Sequence, residues 1–110
     1  MFEAMIENIK ATGIPCAHYG WREAPKDRYI VWAEDGSDAQ ISAEGQNAER
    51  AITGTLDLFV KTDDMQDMRA VEAAFNRSRV AWYLNEVQYE DDTGLIHYEW
   101  VWEVADSGTA

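Results

Sequence analysis

The chain has 110 residues, 46% hydrophobic and 12% aromatic, which suits one domain with a core and is too apolar for disorder. Its 21 acidic and nine basic residues give a formal net charge of −12, a balance that argues against gripping nucleic acid through basic patches. No run approaches the roughly 18 apolar residues a membrane span needs, and the single Cys16 cannot close an internal disulfide.

The opening "MFEAMIENIK" carries acids and lacks the basic region of a signal peptide, so a cytosolic origin is expected. Phe2, Met5, Ile6 and Ile9 fall at helical spacing and predict one apolar helix face. "TGIP" ends that helix, because Gly13 can take a left-handed cap and Pro15 cannot continue. "CAHYGW" reads as a short strand, "REAPKD" as a turn around Pro25, and "RYIVWAED" as a second strand. "EDGSDAQISAEGQNAE" holds two glycines and little apolar matter. Within it, Asp35, Ser37 and Asp38 are expected in a turn, and "AQIS" can form one side of a hairpin.

"RAITGTLDLFVKT" is a long strand. Ile52, Gly54, Leu56, Leu58 and Val60 share one parity; Thr53, Thr55, Asp57 and Lys61 share the other, with Phe59 as the apolar exception. Such alternation predicts an antiparallel strand with one covered face. The period then changes. "TDDMQDMRAVEAAFNRSR" puts Met68, Val71 and Phe75 on one helical face with Met65 a turn earlier, and Asp63 with Gln66 suggests a capping box. "EVQYEDDTGLIHYEWVWEV" is a hairpin around an Asp-Thr-Gly turn. In its second strand Ile96, Tyr98, Trp100, Trp102 and Val104 face the core, while His97, Glu99, Val101 and Glu103 face away. The expected fold is therefore two-layer α+β. An antiparallel or mixed sheet carries two helices mainly on one face, in the order α-β-β-(β)-β-α-β-β. Residues 1–105 form one domain and 106–110 a flexible tail.

The residues suggest no catalytic chemistry. His18 and His97 offer no metal-ligand spacing with Cys16, "EDGSD" lacks the later glutamate of a calcium loop, and the glycines form no phosphate loop. Glu44, Asp57, Glu99 and Glu103 are the acids from which a carboxylate pair would have to come. Aromatic residues concentrate in the first two strands and the last hairpin. Stacking platforms for single-stranded nucleic acid need a basic groove as well. From Val80 to Ala110 there are seven acids and no Lys or Arg. Neither an enzyme, a cofactor nor a metal is expected. Core packing accounts for most of the rings, and a protein interface for those a small domain cannot hide.

Taken in order, the amphipathic first helix ending in "TGIPCAHYGW", then "APKDRYIVWAEDGSD", "DLFVKTDD" leading into the second helix, and the closing "YEDDTGLIHYEWVWEV" resemble phage and prophage tail terminator proteins, also called tail completion or minor tail proteins. The likeness rests on order and spacing over about 100 residues, with no catalytic signature among them. It implies a homo-oligomeric ring, often a hexamer, on the head-proximal end of the tail tube. That ring stops tube polymerisation and presents a surface for joining the head. The implied partners are further copies of the chain, the tail tube protein and a head-completion or connector protein. DNA passes through without specific binding and no membrane is involved. The protein would reside in the host cytoplasm during assembly and then at the tail–head junction of the virion. The interface candidates are Trp32, Asp35, Ser37, Asp38, Ile41, Glu44 and Gln46 around a projecting loop, with Phe59 on the long strand. Glu99, Val101 and Glu103 on the outward side of the last strand complete them. The stretch from Arg50 to Lys61 is a second candidate, as a sheet-edge or strand-to-strand contact. Two other classes compete: an acidic DNA-mimic inhibitor and a head–tail connector or joining protein.

Overall fold

The strict alternation of Ile52 to Val60 commits one side of that strand to burial, and the sheet is assembled around it. The computed structural model describes residues 2–39, 50–62 and 65–106. Helix α1 (Phe2–Lys10) leads into β1 (Cys16–His18), β2 (Arg28–Ala39), β3 (Arg50–Val60), helix α2 (Gln66–Arg77), β4 (Ala81–Glu90) and β5 (Leu95–Asp106). Among the described residues the strands form one mixed sheet in the order β1-β2-β3-β5-β4. β1 runs parallel to β2, and the other neighbours are antiparallel. Both helices pack on one face, which makes a two-layer α+β domain. The bracketed "AQIS" strand, with Ile41, Glu44 and Gln46, lies outside the described residues, as does the tail beyond Asp106.

Cross-strand rows explain the core. On the helix side, Trp32, Leu56 and Trp100 form one row and Ile30, Leu58 and Tyr98 the next. All six are buried. From above, Phe2 packs edge-on to Trp32 at 5.8 Å, and Phe75 meets Trp100 at 6.2 Å. Burying one such ring is worth about 4–6 kcal/mol as an upper bound, so this cluster dominates the apolar driving force. The helices are tied directly as well. Asn8 Nδ2 donates to Ser78 Oγ at 2.8 Å, and the buried Ser78 hydroxyl donates to the Ala74 carbonyl at 2.7 Å.

Gly54 sits where no other residue fits. Its neighbour across the β3–β5 ladder is Trp102, whose ring is fully buried. A methyl at Gly54 would overlap the Ala33 carbonyl oxygen and Cζ2 of Trp102. The glycine lets the indole lie against the strand backbone.

Three expectations are corrected. Asp35, Gly36, Ser37 and Asp38 are not a turn: β2 continues through them to Ala39, with an irregularity in pairing between Glu34 and Gly36. Cross-strand pairing to β3 outweighs the weak strand preference of Gly and Asp. Helix α2 begins at Gln66, after a left-handed Met65 (φ 66°) that makes no side-chain cap, and Asp63 of the expected capping box lies outside the described residues. Met65 is accordingly exposed and off the apolar face. Finally, β3 is not a sheet edge. β2 and β5 pair with it on its two sides, so among the described residues the edges are β1 and β4. Among the described residues, no helix is long and apolar enough to cross a membrane.

Candidate functional site: the open face of the sheet

The helices cover only part of one side. At about 1.5 Å per helical residue and 3.3 Å per strand residue, they are roughly 14 and 18 Å long against about 40 Å for β5. The opposite face carries no packed element among the described residues. Its side chains are set by the odd positions of β3 and β5, which pair row by row.

One row runs Tyr29–Phe59–His97–Gln88 across four strands. Tyr29 and Phe59 stack at 4.6 Å, and Phe59 and His97 at 4.3 Å. Trp21 closes the end edge-on to Tyr29 at 6.3 Å, anchored by its Nε1–H to the Ile30 carbonyl at 3.2 Å. Because the rings stack on one another, they stand across the sheet and present edges to solvent. That geometry differs from a flat stacking platform. Phe59, the apolar exception in its strand, is the middle of this ladder.

The adjacent row is Val31–Asp57–Glu99–Glu86. Three carboxylates are therefore neighbours on three successive strands. Asp57 Oδ1 lies 2.6 Å from His97 Nε2, and Glu90 Oε2 lies 3.2 Å from His97 Nδ1. Both ring nitrogens are thus engaged. The Asp57 hydrogen bond, against an opposing effect of burial, raises the His97 pKa above its ordinary value; Glu90 adds to the rise. An imidazolium can donate from both nitrogens at once, which suits this double contact. The arrangement clasps β3, β5 and the end of β4 together. It leaves neither ring nitrogen without a carboxylate partner. Glu99 accepts a hydrogen bond from Asn85 Nδ2 at 2.8 Å.

A third row, Ala33–Thr55–Val101–Tyr83, borders a shallow cavity of about 190 Å³. Thr53, Ala81, Val101, Tyr83 and Glu103 line it together with Trp82 and Trp102. Tyr83 is 57% exposed there.

The candidate residues separate clearly against this frame. Phe59, Glu99, Val101 and Glu103 all lie on the open face, as their parity predicts. Asp35 is exposed beside the pairing irregularity and accepts a hydrogen bond from Thr53 Oγ1 at 3.0 Å. Ser37 and Asp38 are placed on the distal end of β2. Trp32 is a correction: it is 8% exposed, on the helix side, packed by Phe2 and stacked on His18 at 3.9 Å. It belongs to the core because its position in β2 puts it in the Leu56–Trp100 row. Of the four acids considered as a pair, Asp57 and Glu99 are brought together, Glu103 lies two rows along, and Glu44 is outside the described residues. Sequence reasoning missed the His97 clasp. The available signal was that His97 shares parity with Glu99 and with the polar face of β3.

His18 makes a second, more exposed pair, Nε2 to Glu34 Oε1 at 2.6 Å; that hydrogen bond is the leading cause lowering the Glu34 pKa. Among the described residues, no group of three or more His, Cys, Asp or Glu side chains can hold a metal ion. Comparison with protein-family models finds no match, and comparison with curated proteins finds none.

Proposed function

We propose that this chain is a phage or prophage tail terminator. It assembles as a ring on the head-proximal end of the tail tube, halts tube polymerisation and presents a head-joining surface. The observation that carries the reading is the surface it leaves bare. A sheet face and an edge strand expose Tyr83, Leu84, Val87 and Tyr89 among carboxylates. Aromatic side chains left on a surface mark contact with other chains.

The order and spacing of the sequence segments supply the particular assembly. Glu86, Glu99 and Glu103 suit a passage for DNA, because a carboxylate-bearing wall repels phosphate and lets the duplex slide. The distal ends of β2 and β3, which outrun the helices, suit contact with a neighbour or with the tube.

The test uses purified protein added to the polymerising tube protein of the same phage. Tubes should shorten, and negative-stain micrographs should show a ring of this protein at one end. Tubes of unchanged length, with the protein left free, would refute the reading.

A further inference from the structure

β4 is an edge strand whose helix-side row continues the core into solvent. The buried row Trp32–Leu56–Trp100 ends at Leu84, the row Ile30–Leu58–Tyr98 ends at Val87, and Ile96 is followed by Tyr89. At that edge the exposures rise to 38%, 50% and 63%. Helix α2 reaches β4 through Trp82, where Phe75 stacks at 5.9 Å and Asn76 Oδ1 accepts the indole N–H at 2.9 Å. Past that point the apolar row is uncovered.

Edge strands in natural proteins are usually blunted by lysine, proline, shortness or bulges. β4 runs for ten residues with neither lysine nor proline. It has one pairing irregularity, between Leu84 and Glu86. That irregularity swaps the faces: beyond it, Glu86, Gln88 and Glu90 point to the open side while Val87 and Tyr89 point to the helix side.

The open-side flank is rich in acids: His97 holds Asp57 and Glu90, and two further carboxylates stand beside them. Glu86 sits directly opposite Glu99, and Glu99 is itself opposite Asp57. Like charges facing each other across a ladder are unfavourable. No Lys or Arg follows Arg79 in the sequence, so neither β4 nor β5 supplies one.

We infer that the free edge of β4 accepts an extended segment of a partner chain by strand addition. The segment alternates Lys or Arg, on the side of Glu86 and of the Glu90 that His97 already holds, with apolar residues that cover Leu84, Val87 and Tyr89. Backbone hydrogen bonds give the affinity and the period-2 alternation the specificity. A second copy of β4 does not meet this description. Antiparallel self-pairing would lay Glu86 and Glu90 against their own kind. The opposite edge, β1, offers three residues ending at a left-handed Tyr19 (φ 70°). This inference draws on the same exposed β4 residues as the tail assignment but does not require it.

The probe is an eight-residue peptide alternating Lys and Val, compared with its Glu–Val counterpart, a scrambled version and a version N-methylated on alternate amides. Backbone NMR shifts and hydrogen exchange report the site. The Lys–Val peptide should protect β4 amides, with affinity falling about twofold or more between 50 and 200 mM salt as its contacts to the acids are screened. Val87→Lys, at an exposed position, should weaken it at least tenfold, and the N-methylated and Glu–Val peptides should not bind. Equal binding of the Glu–Val or N-methylated peptide, shifts centred on Tyr29 and Phe59, absence of binding, or β4-mediated dimerisation of the protein alone would each overturn the inference.

Discussion

Gly54→Ala is the sharpest test of how the two halves of the core meet. The added methyl would overlap a backbone carbonyl, that of Ala33, and the Trp102 ring, and would meet Cε2 of that ring at 2.8 Å. Neither obstacle is the end of a flexible chain. The carbonyl is fixed by the β2–β3 ladder and the indole is fully buried. Overpacking a core costs about 1–3 kcal/mol, and two rigid obstacles place this site at the upper end. Alanine recovers about 0.4–1 kcal/mol by restricting the unfolded chain. The net loss is therefore at least about 2 kcal/mol, or roughly 8 °C in melting temperature at about 4 °C per kcal/mol. Far-ultraviolet circular dichroism melts and urea titrations monitored by tryptophan fluorescence measure it. A second variant guards against a trivial explanation. Trp102→Leu should cost much less in the Gly54→Ala background than alone, with a coupling of at least about 1 kcal/mol. A Gly54→Ala melt within about 2 °C of the parent, or strictly additive variants, would refute the contact.

Two further predictions address polar ties. His97 has its pKa raised above the ordinary value of 6.5, so its stabilising contribution is complete below that value and fades as pH rises through the folded-state pKa. Unfolding free energy should fall more in the parent than in His97→Gln as pH rises from 6 through the folded-state pKa; parallel pH profiles would exclude the clasp. Ser78→Ala removes the acceptor of Asn8 and a buried hydroxyl that caps α2. It should lower the urea midpoint by the equivalent of about 1–2 kcal/mol at constant slope, and Asn8→Ala in that background should add little.

Much of the layering was legible because it is periodic. The Ile52–Val60 alternation, with Gly54 in the apolar phase, placed β3 correctly, and the Ile96–Val104 phase placed both tryptophans of β5 under the helices. Met68, Val71 and Phe75 gave α2 its buried face. What escaped is non-local. Strand order is a property of the whole sheet, so nothing in Arg50–Lys61 announces that both its sides are occupied. The extension of β2 through Asp35–Asp38 follows from pairing with β3 and runs against local propensity. At β4, the irregularity beside Asn85 reverses which residues face the helices, so simple parity fails there. The His97 clasp draws its two carboxylates from β3 and β4 while the imidazole sits on β5, and no spacing rule links such a set. Trp32 was misplaced for a related reason: as one of several exposed-looking aromatics near an acidic segment, it gave no sign of the row it joins.

The central claim is that this surface serves to cap a tail tube. Electron micrographs of tails assembled without this protein test it most directly. The account predicts tubes well beyond the normal length and without attached heads. Tails of normal length lying apart from filled heads would contradict termination and indicate a joining protein, and normal tails on normal heads would contradict a structural role in the tail altogether.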